Sequence, residues 1–272
     1  MATDRIRAAF ENAKSEGRIA LVPYVTVGFP ELGFTTEIVR SVVEAGADVV
    51  ELGVPFSDPL GDGSTIQASG HRALENGVTP DTCIEAVKDI RDAGIDVPIV
   101  FMGYYNTIFN MGLDKYCSRI ADAGADGIIA ADLPAAEAGP LQDSCDKAGV
   151  ALIPLITLTS TEYSIEHACK RAAGFIYCVS VLGVTGARAT MSSQVEGLAN
   201  HVRQITDLPV AIGFGISTAD HVAEVARFSD GAIVGSALIN ALADGEAAGA
   251  AERGGIYIKS LTPGTPRKVV AN

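Results

Sequence analysis

Two carboxylates and a group of late glycines carry most of the chemistry this sequence can offer. Glu51 interrupts an apolar run, Val49-Val-Glu-Leu52, just before a segment rich in glycine and proline, Gly53-Val-Pro-Phe-Ser-Asp-Pro-Leu-Gly-Asp-Gly63. Flanked by Val49, Val50 and Leu52, its carboxyl is partly desolvated, which raises its pKa. A carboxyl so raised can both give and take protons near neutral pH. Asp62 lies eleven residues further on, within reach of a fold-back over Glu51. Both residues also have plainer uses. Glu51 could pair with a buried arginine or cap the next element, and Asp62-Gly63 is a common turn pair.

The glycines come in three late segments. Ser180-Val-Leu-Gly-Val-Thr-Gly-Ala-Arg188 follows one apolar run, Gly213-Phe-Gly-Ile-Ser217 ends another, and Val234-Gly-Ser236 ends a third just before a helical pattern. Gly215 and Gly235 let backbone approach a ligand closely, Ser236 adds a hydroxyl, and a helix N-terminus attracts anions. Together they predict a phosphorylated small molecule. Tyr24, Tyr104, Tyr105 and Tyr177 stand at or near run ends, where they line a pocket for a flat apolar ligand or simply pack. His71, His167, His201 and His221 fall in helical segments without metal-ligand spacing, and no metal is expected. The five cysteines include no C-x-x-C pair, so neither a zinc site nor a disulfide framework is expected.

The elements that must position these groups follow from the apolar pattern. Continuous apolar runs occur at 19–25, 47–52, 97–102, 127–131, 151–155, 174–179, 209–213 and 231–234, as expected of parallel strands buried on both faces. Helical patterns separate them at 31–45, 81–93, 113–123, 135–148, 161–172, 193–205, 218–228 and 236–242, with an extra helix at 3–16 before the first strand. Eight such alternations over 272 residues predict α/β architecture, a single (β/α)8 TIM barrel with an extra N-terminal helix. One domain spans 1–272, its barrel core at about 18–245 and a C-terminal helix and tail at 246–272. The stretch Thr262-Pro-Gly-Thr-Pro-Arg267 reads as loose. Barrel active sites lie at the C-terminal ends of the strands, where Glu51, Asp62 and the glycines all fall.

Lys plus Arg number 20 against 33 Asp plus Glu, for a formal charge of −13 without a basic patch. Nucleic acid and anionic membrane are therefore not expected partners. Charges near the N-terminus argue against a signal peptide, and no apolar run approaches the ~20 residues of a membrane span. A reduced, cytoplasmic enzyme is expected.

The segment Glu51-Leu-Gly-Val-Pro-Phe-Ser-Asp-Pro-Leu-Gly-Asp-Gly-Ser-Thr-Ile-Gln67 resembles the signature of tryptophan synthase α chains. Met102-Gly-Tyr-Tyr-Asn106, Ala131-Asp-Leu-Pro134, Gly183-Val-Thr-Gly-Ala187, Gly213-Phe-Gly-Ile-Ser217 and Gly235-Ser236 continue it in family order. The resemblance implies a carbon–carbon lyase that splits indole-3-glycerol phosphate into indole and glyceraldehyde 3-phosphate. It implies Glu51 as the acid–base residue and Asp62 as the carboxylate facing the indole N–H. It places Gly186, Gly215, Gly235 and Ser236 at the phosphate, Thr185 on a closing loop, and Tyr24, Tyr104, Asp132, Tyr177 and Phe214 around the substrate. It implies an α2β2 complex with a β subunit that alone carries pyridoxal phosphate, no cofactor in this chain, a contact surface on the loops after strands 2 and 3, and a tunnel for indole. Two positions depart from some members: Val181 replaces a loop arginine, with Arg188 further on, and Tyr24 replaces a phenylalanine. A Schiff-base aldolase would want a lysine at a strand end, and Lys14, Lys88, Lys115, Lys170, Lys259 and Lys268 all lie elsewhere.

Overall fold

The computed structural model describes residues 2–179, 188–213 and 215–267, with backbone alone at 2–3 and 188–192. Thr185, Gly186 and Phe214, together with Val181, lie outside the described residues.

Among the described residues nine strands form one sheet: β1 Ala20–Thr26, β2 Val50–Gly53, β3 Ile99–Gly103, β4 Gly127–Ala130, β5 Ala151–Leu152, β6 Leu155–Thr157, β7 Ile176–Val179, β8 Val210–Gly213 and β9 Gly231–Val234. Their spatial order is β5-β4-β3-β2-β1-β9-β8-β7-β6, and each recorded pairing is parallel. The two end strands are halves of the one run expected at 151–155. They are separated only by Ile153 and Pro154, so the sheet closes on itself as a (β/α)8 TIM barrel. Proline has no N–H to give a ladder, which breaks the run there. Both neighbours still reach the break, since Ile153 N donates to Ile128 O at 2.9 Å and Tyr177 N donates to Pro154 O at 3.1 Å.

Side chains alternate across each strand. One set fills the barrel interior: Val22, Val49, Val100, Ile129, Ile153, Tyr177, Ala211 and Ile233. The other set, including Leu21, Leu52, Phe101, Ile128 and Ile212, packs outward against the helices. Both faces are therefore dry, the physical origin of the unbroken apolar runs. The extra helix, Ala2–Ser15, closes the end at which strands begin, burying Ile6, Phe10 and Ala13. Phe10 packs on Phe175 at 5.4 Å, and a Cβ on Gly231 would come within 2.8 Å of the Phe10 ring, so that strand start must be glycine.

The same end carries a repeated lock. Ala45-Gly-Ala-Asp48 and Ala123-Gly-Ala-Asp126 each place an aspartate just before a strand. Asp48 Oδ2 accepts from Leu21 N at 2.8 Å and pairs with Arg18, while Asp126 Oδ2 accepts from Ile99 N at 2.8 Å and pairs with Arg91. Asp230 repeats the device before β9, accepting from Val210 N at 3.0 Å and pairing with Arg203 and Arg267.

Three segments differ from the sequence reading. Helices Ser64–Glu75 and Tyr105–Met111 occupy stretches with no helical periodicity, because they bury only Ser69 with Ala73, and Ile108, respectively. The 262–267 stretch is not loose. Ile19 N donates to Thr265 O at 3.0 Å, Arg267 N donates to Gly17 O at 2.9 Å, and the Arg267 side chain binds Ser229 O and Asp230. Prolines 263 and 266 forgo only their own N–H, leaving the intervening groups free to strap this segment to the first strand.

Candidate active site

The two suspect carboxylates meet at the opposite end, where the strands finish. Glu51 pairs in register with Tyr24, and each lies two residues past an interior valine, Val49 and Val22, so both face the interior. Its carboxyl is buried at 1% exposure, and neither oxygen has a hydrogen-bond partner. The alternatives of an arginine partner and a helix cap are thus both absent at this side chain. Burial, reinforced by the nearby negative charge of Asp62, pushes Glu51 up to about 8. Asp62 is also raised by burial, to about 6, with a hydrogen bond from the Tyr104 hydroxyl holding it back.

The loop carrying Asp62 is held in place from below. Gly61 N donates to Tyr104 OH at 2.9 Å, and Phe56 stacks on the Tyr104 ring at 5.1 Å. Helix Ser64–Glu75 begins directly after Asp62-Gly63, with its Gln67 side chain donating to Asp62 O at 2.9 Å and Pro59 O at 3.2 Å. Asp132, at the end of β4, is exposed and accepts from Tyr105 N at 2.7 Å, so it anchors the helix after β3 rather than joining the carboxylate pair.

Two tyrosines lie flat because their neighbours are glycines. A Cβ on Gly53 would sit 2.0 Å from Tyr24 OH, and one on Gly213 would sit 2.5 Å from Tyr177 OH. Tyr24 and Tyr177 thus spread across adjacent strands on the two sides of the barrel mouth. Burial, the largest influence, raises both phenols, and the Glu51 and Asp62 charges add to it, so both keep their protons.

The turns carrying the late glycines lie beside them. β8 and β9 are neighbours, so the turns containing Gly215 and Gly235 adjoin. Gly215 has φ +52°, a left-handed conformation suited to glycine. Gly235 comes close to Tyr24 and Ile66 and starts helix Ser236–Ala243. Having no side chain, Gly235 leaves the first helical N–H groups to a ligand. The helix after β8, Ala219–Val225, differs: its N-terminus is capped by Thr218, which accepts from His221 N.

The structure therefore gathers Glu51, Asp62, Tyr24, Tyr104, Tyr177, Gly215, Gly235 and Ser236 at one end of the barrel, with Asp132 on the rim. Thr26, Ser69, Phe56 and Ile66 were not singled out from the sequence. Gly53, two residues past Glu51 on the same face, was the available sign that a neighbour needed that space. Among the described residues no group of three or more His, Cys, Asp or Glu could hold a metal ion, and no helix is long and apolar enough to cross a membrane.

Comparison with known proteins gives this chain relatives of one family. Residues 10–258 match the protein family described as Tryptophan synthase alpha chain. The tryptophan synthase alpha chain of Chloroflexus aggregans is 48% identical over 267 residues, covering 97% of this chain and 99% of that protein. That of Roseiflexus sp. (strain RS-1) is 46% identical over 238 residues, covering 88% and 91%. Among solved structures, tryptophan synthase subunit alpha from Legionella pneumophila superposes with a TM-score of 0.86 at 32% identity, covering 96% of this chain and 97% of that one. A Mycobacterium tuberculosis tryptophan synthase structure gives 0.87 at 32% identity, covering 97% and 98%.

Proposed function

The chain belongs to the tryptophan synthase alpha chain family, and from that premise we propose how its residues share the reaction. The reaction is a carbon–carbon lyase step of L-tryptophan biosynthesis, the cleavage of indole-3-glycerol phosphate to indole and glyceraldehyde 3-phosphate.

The observation that carries the assignment is the buried, unpartnered Glu51 facing Asp62, the first raised to about 8 and the second to about 6. Two neighbouring carboxyls pushed to different values divide into acid and anion at neutral pH. Protonated Glu51 gives its proton to the indole carbon that bears the glycerol chain. Asp62, ionised, faces the ring N–H and stabilises the positive charge that appears there. The bond between ring and chain then breaks, its electron pair returning to the ring. The hydroxyl on the departing carbon yields its proton to Glu51 and becomes the aldehyde. Glu51 ends as it began, and no proton is lost overall.

Gly215, Gly235 and Ser236 hold the phosphate with backbone N–H groups and a hydroxyl. Gly186 from the loop after β7 joins them, and Thr185 orders that loop over the substrate to exclude water. Tyr24, Tyr104, Tyr177 and Phe214 enclose the indole, and Asp132 supports the rim.

The partner in this reading is a β subunit in an α2β2 complex. That subunit holds pyridoxal phosphate and condenses indole with serine, while this chain contributes acid–base chemistry alone. Leu60, 94% exposed after β2, and Phe109, 62% exposed on the helix after β3, supply apolar contacts beside the barrel mouth. The setting is the cytoplasm, consistent with five free, buried cysteines.

Purified chain mixed with indole-3-glycerol phosphate, with and without a tryptophan synthase β subunit, tests this reading through indole release. Slow release that accelerates with the β subunit is expected. Fast release without it would make the chain a stand-alone lyase, and no release in either case would remove the assignment.

A further inference from the structure

The site contains a chain of three hydroxyls that the acid–base scheme leaves unused. Thr26 Oγ1 donates to Tyr24 OH at 3.5 Å and lies 2.8 Å from Ser69 Oγ. Ser69 sits on helix Ser64–Glu75, and its one proton is shared between Thr26 Oγ1 and Ile66 O, 2.9 Å away, which leaves the Thr26 proton for Tyr24. Thr26 and Ser69 are each 1% exposed, so the chain is shielded from water. It links the floor of the pocket on β1 to the helix that starts beside Asp62.

Each hydroxyl has one proton to give. With Thr26 donating to it, the Tyr24 phenol accepts on that side and keeps its own proton for a partner in the pocket. The phenol oxygen occupies the space a side chain at 53 would fill, 2.0 Å from the ideal Cβ position. Residues 51 and 53 share the interior face of β2, so this oxygen sits one step toward the mouth from Glu51. The charges that act on this phenol are Asp62 and Glu51, and both Glu51 oxygens are buried and without a hydrogen-bond partner. Other groups around Glu51 are Asp62 from the loop above and Tyr177 from β7, while β3 presents the apolar Val100 and Met102.

We propose that Tyr24 is a positioning residue for the reaction: its O–H donates to the Glu51 carboxylate in the interval after Glu51 has protonated the ring and before it recovers a proton from the substrate hydroxyl. The inference rests on Glu51 being the acid. Thr26, held by Ser69, aims the phenol. A phenylalanine at this place would enclose the indole equally well but would leave the ionised Glu51 without that donor.

Tyr24→Phe removes only the oxygen and keeps the ring. Its expected effect is a kcat lower by about tenfold, as for a hydrogen bond to a charged group, with KM nearly unchanged. The alkaline limb of the kcat–pH profile moves upward by up to about one unit, because ionised Glu51 has lost a donor. Thr26→Val reproduces part of the shift, and Thr26→Ser, which keeps the hydroxyl, does not. Glu51→Gln, measured alongside, separates the two assignments. Full activity in that variant overturns the acid assignment and this inference together. An inactive Glu51→Gln beside an unchanged Tyr24→Phe overturns this inference alone. So does a Tyr24→Phe enzyme with raised KM and an unmoved alkaline limb, which would make the phenol a substrate contact.

Discussion

The two ends of the barrel treat buried carboxylates in opposite ways. Where the strands begin, Asp48, Asp126 and Asp230 each accept a backbone N–H from the neighbouring strand and each pair with at least one arginine. Burial works against the charges of Asp230 and Asp126 alike. At Asp230, Val210 N–H, Arg203 and Arg267 overcome it and hold the carboxyl below its ordinary value, while at Asp126 burial outweighs Ile99 N–H, Arg5 and Arg91 and the carboxyl is raised. Where the strands end, Glu51 is buried as deeply as Asp126 and more deeply than Asp48 or Asp230, and its oxygens have no hydrogen-bond partner. One end uses acidic side chains to fix strand register; the other holds one without a hydrogen-bond partner. Residue type alone does not separate the two roles, and the supply of partners does.

Removing the unsatisfied carboxyl tests this contrast most severely. Glu51→Gln should lower kcat by about 10² to 10⁴, the usual range for a lost general acid–base, as measured by indole release. The same change should stabilise the chain at alkaline pH. The Glu51 carboxyl titrates near 4.5 when unfolded and about 8 when folded. Between those values the folded chain keeps a proton that the unfolded chain has released, so rising pH favours unfolding of the parent. Denaturant midpoints of parent and variant should therefore diverge from pH 5 to pH 8, and parallel curves would break the contrast.

Asp126→Asn at the other end should do the reverse. It takes the charge from a pair that is buried on the carboxylate side, and a loss of about 3 kcal/mol in unfolding free energy is expected, with kcat of the folded enzyme unchanged. Asp62→Asn should lower kcat by about 10², the loss typical of one group aimed at developing charge, and, because burial also raises this carboxyl, to about 6, should modestly stabilise the chain above pH 6. The mildest test needs no mutation. Activity requires ionised Asp62 and protonated Glu51, so kcat/KM should be highest between about pH 6 and pH 8. A profile still rising above pH 9 would assign the proton to another group.

Much of this was legible in the sequence. The eight runs announced the barrel because both faces of each strand are dry. Glu51 announced itself as a charge where the surrounding residues were all apolar. Asp62 and the late glycines gained meaning from their place after strands. What stayed hidden depends on partners distant in sequence. Nothing local to Thr26 or Ser69 shows that they meet across 43 positions. Pro154 was in plain view inside a run, yet only the pairing of its flanks with β4 and β7 shows where the sheet is joined. Asp132 is placed around the substrate by resemblance alone, and nothing local shows that its carboxylate also accepts from Tyr105 N, at the start of the helix after β3.

The strap at 265–267 has a consequence for how the chain is made. β1 lies between β2 and β9, and its entry is tied to Thr265 and, through Gly17, to Arg267. During synthesis from the N-terminus, β1 can pair with β2 early, but its other edge stays open until β9 and the 265–267 segment have emerged. For that interval the ribosome-bound chain presents a bare, apolar strand edge, the kind that recruits chaperones or pairs wrongly with a neighbouring copy.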